Sequence, residues 1–166
     1  MSTIIDFYLK VSPNTDGLTL EEIWAFSNDE LEHSHDVIQW LFPTIEASRF
    51  NPDAPCLTQV DIRLWKANPE LKANLRETLH RFLPFLGLAY EEGRIVFRTR
   101  KKNVWCGLNH NWLRITRVLN CLWTLGFDKE CKDLFQCLMG MYESKDFEIT
   151  DEVFQHWKSA ARFQNS

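Results

Sequence analysis

Leu31-Glu32-His33-Ser34-His35-Asp36-Val37-Ile38-Gln39-Trp40-Leu41-Phe42-Pro43 is the stretch on which the reading of the fold turns. At about 100° per residue, Leu31, Val37, Ile38, Leu41 and Phe42 share one side of a helix, while Glu32, His35, Asp36 and Gln39 form a polar stripe on another. The pattern predicts an amphipathic helix that Pro43 ends. Ordinary solvated faces are rich in Lys and Glu, so a stripe of imidazole, carboxylate and amide at one-turn spacing suggests recognition. Trp40 falls between the stripe and the apolar side, the place for a pocket wall.

Working outward, Thr19 with Glu22 and Ser27 with Glu30 both fit the capping box, which sets helix starts near 20 and 28. The second of these helices is expected over 28 to 42. Asn51-Pro52-Asp53-Ala54-Pro55 reads as a loop, after which Thr58 caps a short helix over 59 to 67. Asn68-Pro69 is an N-cap and N1 pair opening a helix with Leu71, Leu75, Leu79, Phe82 and Leu86 on one stripe. Pro84 bends or ends that helix and Gly87 closes it. Glu92-Gly93 separates two apolar stretches between 88 and 97 and predicts a small hairpin. A helix over 109 to 125 buries Ile115, Val118, Leu119, Leu122 and Trp123 and stops at Gly126. Helices over 128 to 143 and 151 to 163 follow, the last capped by Thr150. The expected fold is mainly α, one compact multi-helix domain over 1 to 166 with one small β-hairpin.

Composition agrees with that expectation. The 166 residues are 45% hydrophobic and 13% aromatic, enough apolar material for one core. No apolar run approaches the roughly 18 residues of a membrane span, and the first residues lack the pattern of an export signal. Five cysteines at gaps of 50, 15, 10 and 6, with no Cys-x-x-Cys pair, fit reduced, mostly buried thiols in a cytoplasmic protein. The net charge of -4 hides an asymmetry: eight acids against Lys10 alone in residues 1 to 36, and seven bases with no acid in residues 94 to 117. These blocks either attract each other within the fold or leave a basic surface for an anionic ligand.

The 109 to 125 helix carries a second polar face. His110, Arg114, Arg117, Cys121 and Thr124 recur at spacings of three and four, opposite the apolar stripe. One face offers carboxylate, imidazole and amide; the other offers two guanidinium forks suited to carboxylate or phosphate. Juxtaposed, they make either a structural ion-pair network or a pocket for a small polar ligand.

Other chemistries find less support. Glu32-x-x-His35 and Glu77-x-x-His80 have the spacing of di-iron bundles, but the second copy should face solvent and His33 and His35 diverge on a helix. Neither a metal nor a cofactor is expected. There is no Gly-x-Ser-x-Gly, no phosphate-cradling Gly-rich loop and no cysteine-protease signature. His35 or His110 could carry protons in an enzyme acting on a small anionic metabolite, and this stays open as the rival reading. The cluster from 94 to 102, with Trp105 and Trp112 as stacking residues, is too small a basic footprint for nucleic acid in a chain of pI 5.7.

Leu31 to Pro43, followed by Phe50-Asn51-Pro52-Asp53-Ala54-Pro55, by Leu86-Gly87-Leu88 and by His110-Asn111-Trp112-Leu113-Arg114-Ile115-Thr116-Arg117, closely resembles the conserved region of the opioid growth factor receptor family. The resemblance spans roughly residues 5 to 140 and looks like a stand-alone, single-domain form without a long repetitive tail. It implies a receptor-like domain that binds a peptide or small anionic ligand, with membrane association at most peripheral. A non-enzymatic binding module is therefore expected, with a polar cleft between the 28 to 42 and 109 to 125 helices. His35, Asp36, Gln39 and Trp40 are the candidate ligand-binding residues on the first; His110, Asn111, Arg114 and Arg117 are those on the second.

Overall fold

In a computed structural model describing residues 2–163, ten α-helices and one two-stranded antiparallel hairpin account for the regular structure. The elements group into two units, Met1–Arg81 and Phe82–Ser166.

The first unit holds α1 (Thr3–Tyr8), α2 (Leu20–Trp24), α3 (Asn28–His33), α4 (Val37–Leu41), α5 (Gln59–Ala67) and α6 (Pro69–Phe82), whose last residue opens the second unit. Three of its helices start as their capping chemistry requires. The side chains of Thr19, Ser27 and Thr58 each accept from the N3 backbone N–H, and Glu22, Glu30 and Asp61 reach back to the N-cap amide. Asn68 Oδ1 accepts from the amides of Glu70 and Leu71 at 2.8 and 3.2 Å, opening α6 beside Pro69.

Helices this short are marginal by themselves, so tertiary contacts hold them. Thr78, on α6, is the hub. Its hydroxyl accepts from Tyr8 Oη and from Trp24 Nε1, both at 3.0 Å, and donates to the Asn74 carbonyl at 2.9 Å. Asn74 Nδ2 then donates to the Tyr8 carbonyl at 2.7 Å. Tyr8, Asn74 and Thr78 are all buried, and this chain of bonds ties α1 and α2 to α6. Trp24 also lies beneath two cations, Lys10 Nζ at 4.9 Å and the Arg81 guanidinium at 5.4 Å from its ring centre.

Asp61 links a cap to the chain start. Its carboxylate accepts from the Thr58 amide and hydroxyl at 2.8 and 2.9 Å and from the Ser2 hydroxyl at 2.6 Å. Burial pushes this acid up, but the Ser2 and Thr58 hydrogen bonds outweigh it and hold the carboxyl below its ordinary value. A folded-state pKa below the unfolded one gives stability present above the unfolded value, about 3.9, and lost as pH falls through the folded one. Urea midpoints should therefore fall more steeply below about pH 4 in the native chain than in Asp61→Asn. Parallel curves would show that this carboxylate has no part in acid unfolding.

The second unit begins with a 3-10 turn, Leu83–Leu86, in which Pro84 ends the α-helical run, and Gly87 caps it in the left-handed region at φ 74°. β1 (Leu88–Glu91) and β2 (Arg94–Phe97) pair from Leu88↔Phe97 to Glu91↔Arg94, joined by Glu92-Gly93 with both φ positive, as a two-residue hairpin turn demands. Then come α7 (Lys102–Trp105), α8 (Asn111–Thr124), α9 (Asp128–Ser144) and α10 (Asp151–Ala160). The core here is aromatic: Trp105, Trp112 and Trp157 are buried with their rings edge-on, 6.0 and 6.5 Å from centre to centre. Each indole N–H donates to a main-chain carbonyl, respectively of Leu86, Val104 and Trp112.

Candidate functional site

The stretch from Leu31 to Pro43 folds as two helices, not the single one its periodicity predicts. α3 stops at His33, Ser34 leaves helical geometry at ψ 89°, and α4 begins only at Val37. Gln39 explains the break. Its side-chain amide, oriented so that nitrogen faces the two oxygens, donates to the carbonyls of His35 at 3.2 Å and Asp36 at 2.8 Å, groups at the start of the short α4. Every residue from Val37 to Thr44 is buried.

The polar stripe is thereby divided. His35 and Asp36 are exposed in the turn, whereas Gln39 is buried and occupied with its own backbone. Trp40, expected as a pocket wall, is 3% exposed and packs edge-on against Phe7 with ring centres 5.1 Å apart. It is a core residue of its unit. His33 turns its Nδ1 to the Asp29 carbonyl at 2.8 Å, one turn back along α3.

α8 carries the other half of the expected residues. His110 is the exposed N-cap residue, and Asn111 is wholly buried, with Nδ2 donating to the Asn103 carbonyl at 3.0 Å. Asn109 braces the same corner, donating to the Val104 and Gly107 carbonyls and accepting from the Asn111 amide. Arg114 is 6% exposed, its guanidinium 5.8 Å from the centre of the Phe85 ring. Arg117 is half-buried.

The exposed strip of α8 runs through Leu113, Thr116, Arg117, Asn120, Trp123 and Thr124. It is rotated from the face expected to be polar. Cys121 is fully buried, and Trp123, expected inside, is 41% exposed. Arg114 thus lies on the inward flank and Arg117 at the edge of the accessible strip.

Several alternatives lose ground at this level. Trp105 and Trp112 are buried and hydrogen-bonded, so they offer no stacking platform beside the basic cluster. Within that cluster Arg98 pairs with Glu91, while Arg100 lies over Phe147 and donates to the Asp146 carbonyl. Glu77 is ion-paired with Arg81 at 2.7 Å. All five cysteines are free; Cys121 and Cys131 are buried and Cys137 half-buried, while Cys56 and Cys106 are exposed. Burial pushes Cys131 up to about 12, Cys137 up to about 11 and Cys121 higher still, so these three stay protonated and poor nucleophiles at neutral pH. No helix among the described residues is long and apolar enough to cross a membrane.

The chain is 34% identical over 131 residues to opioid growth factor receptor-like protein 1 of Xenopus tropicalis, covering 74% of this chain and 25% of that protein. It is 33% identical over 138 residues to the opioid growth factor receptor of Homo sapiens, covering 75% and 20%. The matched region is thus about a quarter or less of each relative's length. No solved structure matches. The family model described as "Opioid growth factor receptor (OGFr) conserved region" matches residues 2–165, nearly the whole chain, and the chain belongs to that family.

Proposed function

We propose that this chain is a receptor-like, non-enzymatic binding domain that takes a peptide or small anionic ligand, and that the Arg114 and Arg117 side of α8 receives the ligand's anionic group. The observation that carries this reading is Arg114, a residue only 6% exposed on a helix that also presents Arg117 three residues on. A buried cation is held in a fixed place by the groups around it, here the Phe85 ring among them, which gives its fork a set direction. Its planar fork matches carboxylate or phosphate, and Arg117, three residues on, has access to solvent. The relatives' names speak of a receptor for an opioid growth factor, which supports a binding role and a peptide as one class of ligand. His35 and Asp36, exposed on the first unit, are proposed as a polar contact surface in their own right.

A thermal-shift screen against short acidic peptides, nucleotides and dicarboxylates tests the reading. A true ligand at a hundred times its Kd adds about 2.7 kcal/mol, a shift of several degrees. That shift should disappear in Arg117→Ala, and be weakened in Arg114→Lys, while the unliganded melting point holds. A lower melting point with no ligand response in either variant would make the pair a structural ion network and nothing more.

A further inference from the structure

α10 has two faces of different chemistry. Phe154, Trp157 and Ala161 are buried, whereas Gln155, Lys158, Ser159 and Arg162 line up at spacings of three and four on the outer side. With Phe163 they line an open cavity of about 310 Å³. The turn that ends the helix shapes it. Arg162 takes the left-handed conformation at φ 52°, its amide donates to the Ser159 carbonyl, and the Phe163 amide donates to the Lys158 carbonyl, both at 3.1 Å. This swings the Phe163 ring back beside the helix, where the Phe135 ring, 4.8 Å away, holds it as a fixed wall.

The lining is one-sided in charge. Among the described residues it contains two cations, a hydroxyl and an amide, and no acid. Among the described residues neither Lys158 nor Arg162 forms an ion pair, and the Gln155 and Ser159 side chains form no hydrogen bond. Cations do complement the end of a helix dipole, but two of them one turn apart repel each other, and the dipole explains neither the ring nor the hydroxyl. Glycine is the residue that position 162 favours, so an arginine there sits in a conformation costly for any side chain. Fork, point charge, hydroxyl and amide together make the donor set that a tetrahedral, doubly charged oxyanion uses.

We propose that this cavity is a binding site for a small phosphate monoester, with the phosphoryl group held by Lys158, Ser159, Arg162 and Gln155 and its organic part against Phe163. The volume, near the lower end for small-molecule sites, fits a phosphoryl group with a single ring. No described α8 residue lines this cavity, and neither reading depends on the other.

Phenyl phosphate and inorganic phosphate, titrated separately at constant ionic strength and followed by amide NMR shifts, test it on the full chain. Saturable shifts confined to residues 155 to 163 are expected, with phenyl phosphate binding at least about threefold tighter through its ring. Arg162→Gly suits the turn better than the native residue, so it keeps the fold, and it should weaken binding at least about tenfold. Lys66→Ala, which removes an exposed cation on α5, should bind phenyl phosphate as the native chain does, and shifts at residues 110 to 124 would report the α8 side separately. Shifts that rise linearly without saturating, or an Arg162→Gly variant that binds normally, would overturn the site. Equal affinity for the two probes would overturn its assignment to a monoester.

Discussion

Gly87→Ala should destabilise the chain by about 3–5 kcal/mol, whereas Gly93→Ala should cost only about 1 kcal/mol, although both glycines have nearly the same positive φ. The difference is space. A Cβ on Gly93 meets nothing within 4 Å, while one on Gly87 would lie 2.0 Å from the Thr99 carbonyl oxygen and 3.1 Å from its carbon. That neighbour is main chain and cannot swing aside. The approach is close because the Gly87 carbonyl accepts from the amides of Arg98 and Thr99, at 2.8 and 3.1 Å, which fastens the exit of the hairpin to the end of the 3-10 turn. Relief of the clash means breaking those bonds and moving Leu86, whose carbonyl receives the Trp105 indole. Urea denaturation of the two variants side by side gives the comparison. Equal losses would mean that the backbone angle alone matters and that the Thr99 contact relaxes freely.

Gly87 is also an instance of what was legible beforehand. Its place as a helix stop could be read from Pro84 and the end of the apolar stripe, and the hairpin from Glu92-Gly93, because turn chemistry acts through the residue's own φ. The capping boxes at Thr19 and Ser27 and the cap at Thr58 were legible for the same local reason, though the part Asp61 plays at Thr58 was not. What escaped was tertiary in origin. α1 starts at Ser2 with no side-chain cap bond, and α7 has only four residues and Lys101 as its N-cap. Both are held by what their aromatics touch, Tyr8 through Thr78 and Trp105 through Leu86. The break after His33 has no Gly or Pro to announce it, since the Gln39 amide that serves the turn reads as one more polar residue on a stripe.

The candidate site shows the same division. The family could be read from the long motifs around His35 and Arg114, because identity and spacing of side chains suffice for resemblance. Burial could not. A 3.6-residue period separates two faces but does not say how far round the helix the neighbours extend, and on α8 they extend past Cys121 and Arg114. This is why the accessible part of the polar face shrinks toward Arg117. The α10 cavity gave no motif at all, because it depends on the left-handed turn at Arg162 that returns Phe163 to the helix.

Trp157→Ala should remove about 3–5 kcal/mol, a large part of the roughly 5–15 kcal/mol by which domains are ordinarily stable. The side chain is fully buried, its ring meets Trp105 and Trp112 edge-on, and its Nε1 donates to the Trp112 carbonyl at 3.1 Å. That carbonyl lies in the first turn of α8 and also receives the Thr116 hydroxyl at 3.1 Å, so the indole joins α10 to α8 at a point already fixed. Alanine leaves a cavity lined by two tryptophans that are themselves tied to backbone and cannot collapse into it. Trp157→Phe keeps most of the apolar contact and loses the hydrogen bond, for a smaller cost of about 1–2 kcal/mol. Far-UV circular dichroism in urea is the suitable readout, since indole fluorescence changes with the substitution itself. Hydrogen exchange adds where the loss is felt: amides of α10 and the first turns of α8 should lose protection together in Trp157→Ala. Loss confined to α10, with α8 protected as before, would show that the tryptophan cluster is a local anchor for one helix instead of the point on which the second unit's packing depends.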